Sequence, residues 1–197
     1  LRPQQIAQVN PNTGTCPTFK SLRDSEITIG IYEHIPVLWR ETPEENPWGL
    51  SFLRMLDMAN DSGLFRTTDE GDVSLLYEGK MVYHFDHRFG DYRQRQEGRI
   101  DAVLPRTTSE QKSDPSFSLL PRYWVPQYEV GKRLRRSDWD NGWLVGWRDV
   151  ARNTDERTMI CCVIPRVAVG HKFPLALTHR SASVSYTHLR AHETGRN

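Results

Sequence analysis

The chain has 197 residues, enough for one domain or for one domain with a linker. Its hydrophobic content of 37% is low for a compact domain, and its formal net charge of +1 excludes a global field that would draw it to nucleic acid. Arginine nevertheless outnumbers lysine 21 to 5, and thirteen arginines lie between Arg88 and Arg166. Guanidinium groups suit phosphates and guanine edges, although GC-rich coding alone would give the same bias.

The first half of the chain predicts short elements separated by loops. Residues 1–18 carry Pro, Asn, Thr and Gly and predict a loop or linker. A short helix is predicted over residues 21–32, with Ser21 as its N-cap, and a short strand over residues 35–39. Residues 50–63 have apolar side chains at helical spacing and end in Asn-Asp-Ser-Gly, so they predict a second helix.

The second half is richer in strand patterns. Residues 73–85 predict a strand or a strand-turn-strand around Gly79, residues 88–111 a long exposed loop or surface helix, and residues 123–136 a short helix. Alternating or continuous apolar segments predict three further strands, at residues 142–150, 157–165 and 167–177. The predicted fold class is α+β, a mixed small sheet with short helices and long loops.

The cysteines and the hydropathy pattern indicate in which cellular compartment the protein is expected. Cys16, Cys161 and Cys162 include no Cys-x-x-Cys pair, so we predict reduced thiols in a cytoplasmic protein. Cys161 and Cys162 lie in an apolar strand, where a thiol acts as a small hydrophobic group. No signal peptide and no run of about 18 apolar residues occurs, so the sequence predicts neither export nor a membrane partner.

The last residues differ from everything before them. "VSYTHLRAHET", residues 184–194, matches codon by codon the conceptual translation of a transposon-type sequencing adapter, and residues 195–197 would then be barcode. We therefore treat residues 184–197 as non-native and leave them out of the fold prediction. Because Leu1 is not Met, we expect the sequence to be an internal piece of a longer protein.

Two motifs suggest metal chemistry. Glu78-x-Lys80 with Asp72 fits a loose nuclease pattern, in which two carboxylates hold Mg²⁺ and the lysine helps position water. The pattern is common by chance, and the central Gly79 favours a turn. The second candidate set is His84, Asp86, His87 and Asp91. A strand would place His84 and Asp86 on one face and point His87 away from them, and no further ligands cluster nearby, so we predict no metal there.

A third motif, Asn46-Pro47-Trp48, hints at the Asn-Pro-Pro-aromatic box of amino-methylating enzymes, in which the aromatic ring stacks on the flipped base. The second proline is missing and no glycine-rich S-adenosylmethionine loop precedes it, so we predict a turn.

Aromatic residues and arginines also interleave between residues 122 and 157. Such a mixture is typical of stacking and phosphate platforms, and equally of an ordinary aromatic core.

Four segments occur in an order that resembles one family. They are "ENPWGLSFLRMLDMANDSGLFRT", "LYEGKMVYHFDHRFGDY", "PRYWVPQYEV" and "GWLVGWRDVARNTDERTMICCVIPRVAVGHKFPL". Together they resemble the region after the catalytic domain in large bacterial adenine-N6 DNA methyltransferases, both the combined restriction-modification (type IIG-like) enzymes and relatives in phage defence. The resemblance covers nearly all of residues 16–177. It implies a linker or helical segment over residues 1–66 and a partial target-recognition domain over residues 67–183.

The resemblance also implies a function. The parent protein would transfer a methyl group from S-adenosylmethionine to adenine in double-stranded DNA, and other restriction or defence subunits would be possible partners. The family's S-adenosylmethionine loop and Asn-Pro-Pro-Tyr/Phe box do not occur in this sequence, so we expect this piece to bind DNA without catalysis or cofactor. The alternatives are an Mg²⁺-dependent nuclease module using Asp72, Glu78 and Lys80, and an interaction scaffold that makes no DNA contact.

Six basic residues are the predicted DNA contacts: Arg88, Arg93, Arg148, Arg152, Arg157 and, on phosphate, Lys172. The arginines around residue 150 could equally form structural ion pairs with Asp149, Asp155 and Glu156.

Overall fold

The computed structural model describes residues 1–35, 37–93, 104–151, 159–178 and 181. Short helices alternate with small sheets, which confirms the predicted α+β class. The described residues divide into two units, one formed by residues 1–50 with residue 178 and the other by residues 51–177 with residue 181. The boundary predicted at residue 66 therefore falls inside the second unit.

The first unit contains two helices and a small β-ribbon. Its elements are α1 (Pro3–Val9), α2 (Leu22–His34), β1 (Arg40–Glu41) and β2 (Glu44–Glu45). The hydroxyl of Ser21 accepts the N–H of Asp24 at 3.1 Å, which confirms the predicted N-cap. The loop predicted over residues 1–18 is wrong at α1, where Pro3 supplies the fixed φ of a first helical residue. The strand predicted at residues 35–39 is also wrong, since residues 37–39 form no strand.

The second unit is built on two sheets. Its elements are β3 (Leu50–Leu53), which begins at the unit boundary, β4 (Val73–Tyr77), α3 (Ser109–Ser113), β5 (Trp124–Pro126), α4 (Gln127–Arg136), β6 (Trp143–Trp147), β7 (Cys161–Pro165), β8 (Ala168–Val169) and β9 (Leu175–Thr178). One sheet has the order β3-β9-β6-β7 and the other β5-β4-β8. The helix predicted at residues 123–136 is confirmed over α4, but residues 124–126 form β5 instead. The strands predicted at β6 and β7 are confirmed in the described residues.

The helix predicted over residues 50–63 is wrong. The chain forms β3 and then a turn, in which the Asp57 carboxylate accepts the N–H groups of Ala59 at 3.0 Å and Asn60 at 2.8 Å. Asp61 in turn accepts the N–H of Asp57 at 2.8 Å. Aspartate side chains thus take the backbone donors that a helix would use, which is why their presence outweighs the apolar spacing.

The core of the second unit lies where β6 pairs with β7 along five residues, with Gly146 opposite Cys162. Gly146 also faces Phe173, which is 1% exposed. A Cβ at position 146 would lie 2.4 Å from the carbonyl oxygen of Pro174 and 2.6 Å from the Phe173 ring. The sheet therefore needs glycine there, so that the segment from Phe173 to Pro174 can cross β6 at backbone distance.

The helices in the described part of the chain are short, and none is long and apolar enough to cross a membrane.

Candidate nucleic-acid interface

Arg88 and Arg93 bind neighbouring loops. Arg88 donates to the carbonyl oxygens of Lys112 at 2.6 Å and Asp114 at 3.3 Å, where α3 ends. Arg93 donates to the carbonyl of Ser118 at 3.0 Å and lies 5.1 Å from the Phe117 ring centroid. Both guanidinium groups therefore fasten the segment after α3 to the loop that carries them, which uses much of the donor capacity predicted for DNA.

Arg148 points into the protein. Its Nε donates to the carbonyl oxygens of Gly79 at 2.9 Å and Val82 at 3.0 Å. Its guanidinium carbon lies 5.5 Å from the Tyr83 ring centroid and 5.7 Å from that of Phe89. The Arg148 side chain is therefore held by backbone carbonyls and aromatic faces, and these contacts occupy a guanidinium group that was predicted to bind DNA.

Among the predicted contacts that the structure describes, Lys172 is the most exposed. Its Nζ donates to Asp149 at 3.1 Å, and Arg54 donates to the other carboxylate oxygen of Asp149 at 3.2 Å. The hydrogen bond from Lys172 is the main cause that lowers the pKa of Asp149, so this carboxylate is charged at neutral pH. Arg152 and Arg157, like their alternative partners Asp155 and Glu156, lie outside the described residues.

The Glu-x-Lys motif forms a turn. Residues 79–81 make one 3₁₀ turn after β4, as Gly79 predicts, and Lys80 Nζ lies 3.3 Å from Glu78 Oε2. The Tyr92 hydroxyl donates to the other Glu78 oxygen at 2.5 Å. Asp72 and Glu78 flank β4 at opposite ends, about 20 Å apart along an extended strand. In this structure the two carboxylates therefore do not converge on one Mg²⁺.

The residues of the other candidate metal set have separate partners. Asp86 accepts from Lys112 Nζ at 2.5 Å, and Asp91 accepts the N–H of Leu120 at 2.9 Å. His84 Nδ1 lies 3.5 Å from Cys161 Sγ, and burial lowers the pKa of His87. No group of three or more His, Cys, Asp or Glu in the described ranges could hold a metal ion.

Two further motifs have structural roles. The Asn46 side chain donates to the carbonyl of Leu50 and accepts its N–H, both at 2.8 Å, which confirms the turn predicted at Asn46-Pro47-Trp48. Cys161 and Cys162 are buried in β7. Burial raises the pKa of the Cys162 thiol to about 12, so it is protonated at neutral pH and packs as an apolar group.

α4 carries a cluster of exposed cations. The inner side of the helix carries Val130 and Leu134, both fully buried. The opposite side, here called the basic face of α4, consists of Tyr128, Lys132, Arg135 and Arg136. These residues are spaced at i, i+4, i+7 and i+8, so they form one stripe along the helix. The Tyr128 side chain is 62% exposed.

The charges on the basic face are only partly neutralised. Lys132 Nζ lies 3.6 Å from Glu129 Oε1, but the same carboxylate also pairs with Arg133, which reaches Asp61 at 2.7 Å as well. Within the described part of the chain, Arg135 and Arg136 form no ion pair with a carboxylate. The basic face of α4 is not among the DNA contacts predicted from the sequence, although the helical spacing of its cations opposite Val130 and Leu134 indicates it.

Comparison of the chain with known protein families, curated proteins and solved structures gives no match.

Proposed function

We propose that this chain is a non-catalytic, DNA-binding part of a site-specific adenine-N6 DNA methyltransferase. The methyltransferase assignment is supported by the order of the four family-like segments. The DNA-binding assignment is supported by one observation, the basic face of α4. Methyl transfer from S-adenosylmethionine would belong to a part of the parent protein that carries the glycine-rich loop and the Asn-Pro-Pro-Tyr/Phe box.

The basic face suits a phosphate backbone for two physical reasons. Its three cations lie within about 6 Å along the helix axis, close enough to meet neighbouring phosphates of one strand. The helix that carries them is held by Val130 and Leu134 in the core, so the side chains start from a fixed backbone. Tyr128 adds a hydroxyl that can reach phosphate or sugar. Contacts of this kind orient DNA without reading its sequence.

Duplex DNA binding by the full chain, followed by fluorescence anisotropy across a salt series, tests the assignment. Removal of one cation that binds a phosphate should reduce the slope of log affinity against log salt by about 0.9. Arg135→Ala and Arg136→Ala should each give such a reduction. Arg23→Ala is a matched control, since Arg23 is an exposed helical arginine in the first unit whose side chain lies 3.7 Å from Glu26. Identical slopes for all three variants would contradict a role of the basic face.

The methyltransferase assignment has its own test, which is the coding sequence upstream of Leu1. A glycine-rich loop followed by Asn-Pro-Pro-Tyr/Phe is expected there, since the family-like segments follow the catalytic domain. Upstream sequence that lacks both motifs would refute the methyltransferase assignment. The salt slopes would then still test DNA binding by α4 independently. Absence of salt-dependent DNA binding would instead favour the interaction scaffold.

A further inference from the structure

The loop between α4 and β6 exposes an asparagine that is followed by a glycine. Asn141 and Gly142 are both exposed to solvent and come directly before Trp143, where β6 begins. The backbone nitrogen of a residue can attack the side-chain carbonyl of a preceding asparagine, and the two groups need no encounter because the chain already joins them. Asparagine is a thermally labile residue. The pair therefore places an electrophile beside a nucleophile at the protein surface.

The two reacting groups are not engaged elsewhere. Among the hydrogen bonds of the described residues, none uses the Asn141 side chain or the N–H of Gly142. The carbonyl oxygen of Gly142 accepts the N–H of Arg166 at 3.1 Å, so only the acceptor side of this glycine is bound. The Asn141 carboxamide can consequently rotate toward the nitrogen of Gly142 without breaking a hydrogen bond.

The glycine leaves the path of attack open. A Cβ built at position 142 would meet no heavy atom within 4 Å. A side chain on the residue after an asparagine obstructs the approach of its nitrogen, and glycine removes that obstruction and gives the backbone its widest range of conformations. Because the surrounding space is empty, Gly142→Ala adds an obstruction to the reaction without adding a clash to the fold.

We infer that Asn141 is a site of spontaneous deamidation. The backbone nitrogen of Gly142 attacks Cγ of Asn141, and the new C–N bond replaces the bond from Cγ to the amide nitrogen. The proton lost by Gly142 leaves with that nitrogen as ammonia, and the product is a cyclic succinimide. Water then adds to one of the two succinimide carbonyls and opens the ring. One opening gives aspartate, and the other gives isoaspartate, in which the backbone runs through the former side chain.

Both products add a carboxylate near the C-terminal end of α4. The N–H of Trp139 donates to the carbonyl of Leu134 at 3.0 Å, so the chain is still in contact with the helix end two residues before Asn141. That end of the helix carries Arg135 and Arg136. An anion there reduces the attraction of these cations for phosphate. This consequence rests on the proposed DNA-binding function, whereas the deamidation itself does not.

The chemistry is tested by incubating the full chain in mildly alkaline buffer while ammonia release and peptide masses are followed. Asn141 should lose its amide at a rate proportional to hydroxide concentration, because the attacking nitrogen reacts as its anion. Asn12 and Asn46 are internal controls and should keep their amides. The Asn12 side chain donates to the carbonyl of Trp39 and accepts the N–H of Glu41, both at 2.9 Å, and Asn46 precedes a proline, which has no N–H.

Gly142→Ala, with an unchanged circular dichroism spectrum, should lose most of the ammonia release. Retention of the Asn141 amide in the wild-type chain would overturn the inference. Equal rates in the wild type and in Gly142→Ala would overturn it as well, and so would loss of the Asn12 amide at the rate of Asn141.

The effect on DNA is tested with Asn141→Asp, which reproduces one product, and with Asn141→Ser, which stays neutral. Asn141→Asp should weaken binding to duplex DNA at low salt, where charges are least screened, and Asn141→Ser should not. Equal affinities of these two variants would overturn the effect on α4 while the mass measurement still stood. If no duplex bound to any variant, the proposed DNA-binding function would fail and the deamidation would be judged by the peptide masses alone.

Discussion

Arg148→Ala should destabilise the fold and leave DNA contact unchanged. The Val82 carbonyl, in a residue 1% exposed, accepts from both Nε and Nη2 of Arg148. Removal of these donors leaves a buried acceptor unsatisfied, at a cost of about 1–3 kcal/mol. The carbonyl of Gly79 loses one donor but still accepts the N–H of Val82 at 3.3 Å, so it contributes little to the loss of stability. Loss of the cation from the Tyr83 and Phe89 faces costs about 0.5–2 kcal/mol more.

Together the two terms predict a decrease of about 1.5–5 kcal/mol in the free energy of unfolding. For a chain of this size, 1 kcal/mol shifts the melting temperature by about 2–4 °C, so calorimetry should show a decrease of about 3–20 °C. Arg135→Ala is the matched variant, since Arg135 is exposed on α4 and its truncation should change stability by less than about 0.5 kcal/mol. Its salt slope on duplex DNA should fall by about 0.9, and that of Arg148→Ala should not.

The reverse pattern would refute this reasoning. If Arg148→Ala had the same melting temperature as the wild type but a smaller salt dependence of DNA affinity, the guanidinium of Arg148 would be a DNA contact, as the sequence predicts. Arg148→Lys provides a further check, because an ammonium group cannot reproduce the planar donor geometry of guanidinium. It should recover only part of the lost stability.

Three other results are expected. Gly146→Ala should lower the free energy of unfolding by about 1–3 kcal/mol, because the added Cβ displaces the Phe173 ring; an unchanged midpoint in chemical denaturation would contradict the packing at β6. Burial lowers the pKa of His87, so the unfolded state binds the proton more readily. The stability from the neutral ring is therefore complete above pH of about 6.5 and is lost as the pH falls toward the folded-state pKa. His87→Gln should flatten that decline, and parallel pH profiles of wild type and variant would argue against it. Glu78→Ala and Lys80→Ala should leave any metal-dependent cleavage by the parent protein unchanged; an inability to cut in a folded, DNA-binding variant would support the nuclease instead.

The elements that sequence analysis predicted correctly depend on local signals. Ser21 caps α2 through its own hydroxyl, and Val130 with Leu134 marks the buried side of α4. Continuous apolar residues predict β7 because both of its faces are covered. In each case the residues that decide the structure are close together in the sequence, so a window of a few residues contains the required information.

The errors arise where side chains compete with the backbone or where a partner is distant. The segment from Leu50 to Gly63 has helical spacing, but Asp57 and Asp61 bind its backbone donors and stop a helix. The segment predicted as one strand after Val167 divides into β8 and β9, because the N–H of Phe173 bonds to the carbonyl of Gly170 at 3.0 Å and turns the chain. A hydropathy pattern reveals neither the aspartate side-chain hydrogen bonds nor the turn at Gly170.

The candidate site illustrates the same limit for function. Arg148 and Arg135 are the same type of residue, yet the side chain of Arg148 binds the carbonyls of the turn at residues 79–82 and Arg135 is exposed to solvent. The carbonyls that bind Arg148 are more than sixty residues away in the chain, so no local pattern separates a structural arginine from an available one. On α4, by contrast, helical periodicity predicts which arginines face solvent, because Val130 and Leu134 mark the buried side of the helix.

The turn of residues 79–81 connects Arg148 with Lys172, another residue predicted to contact DNA. A Cβ at Gly79 would lie 2.7 Å from the carbonyl oxygen of Lys172, so the turn touches the backbone that carries this cation. Arg148 holds the same turn through the carbonyls of Gly79 and Val82. Lys172 in turn donates to Asp149, the residue that follows Arg148. Arg148 therefore fixes the backbone near an exposed cation, and its replacement by alanine should lower the free energy of unfolding while leaving the salt slope on duplex DNA unchanged.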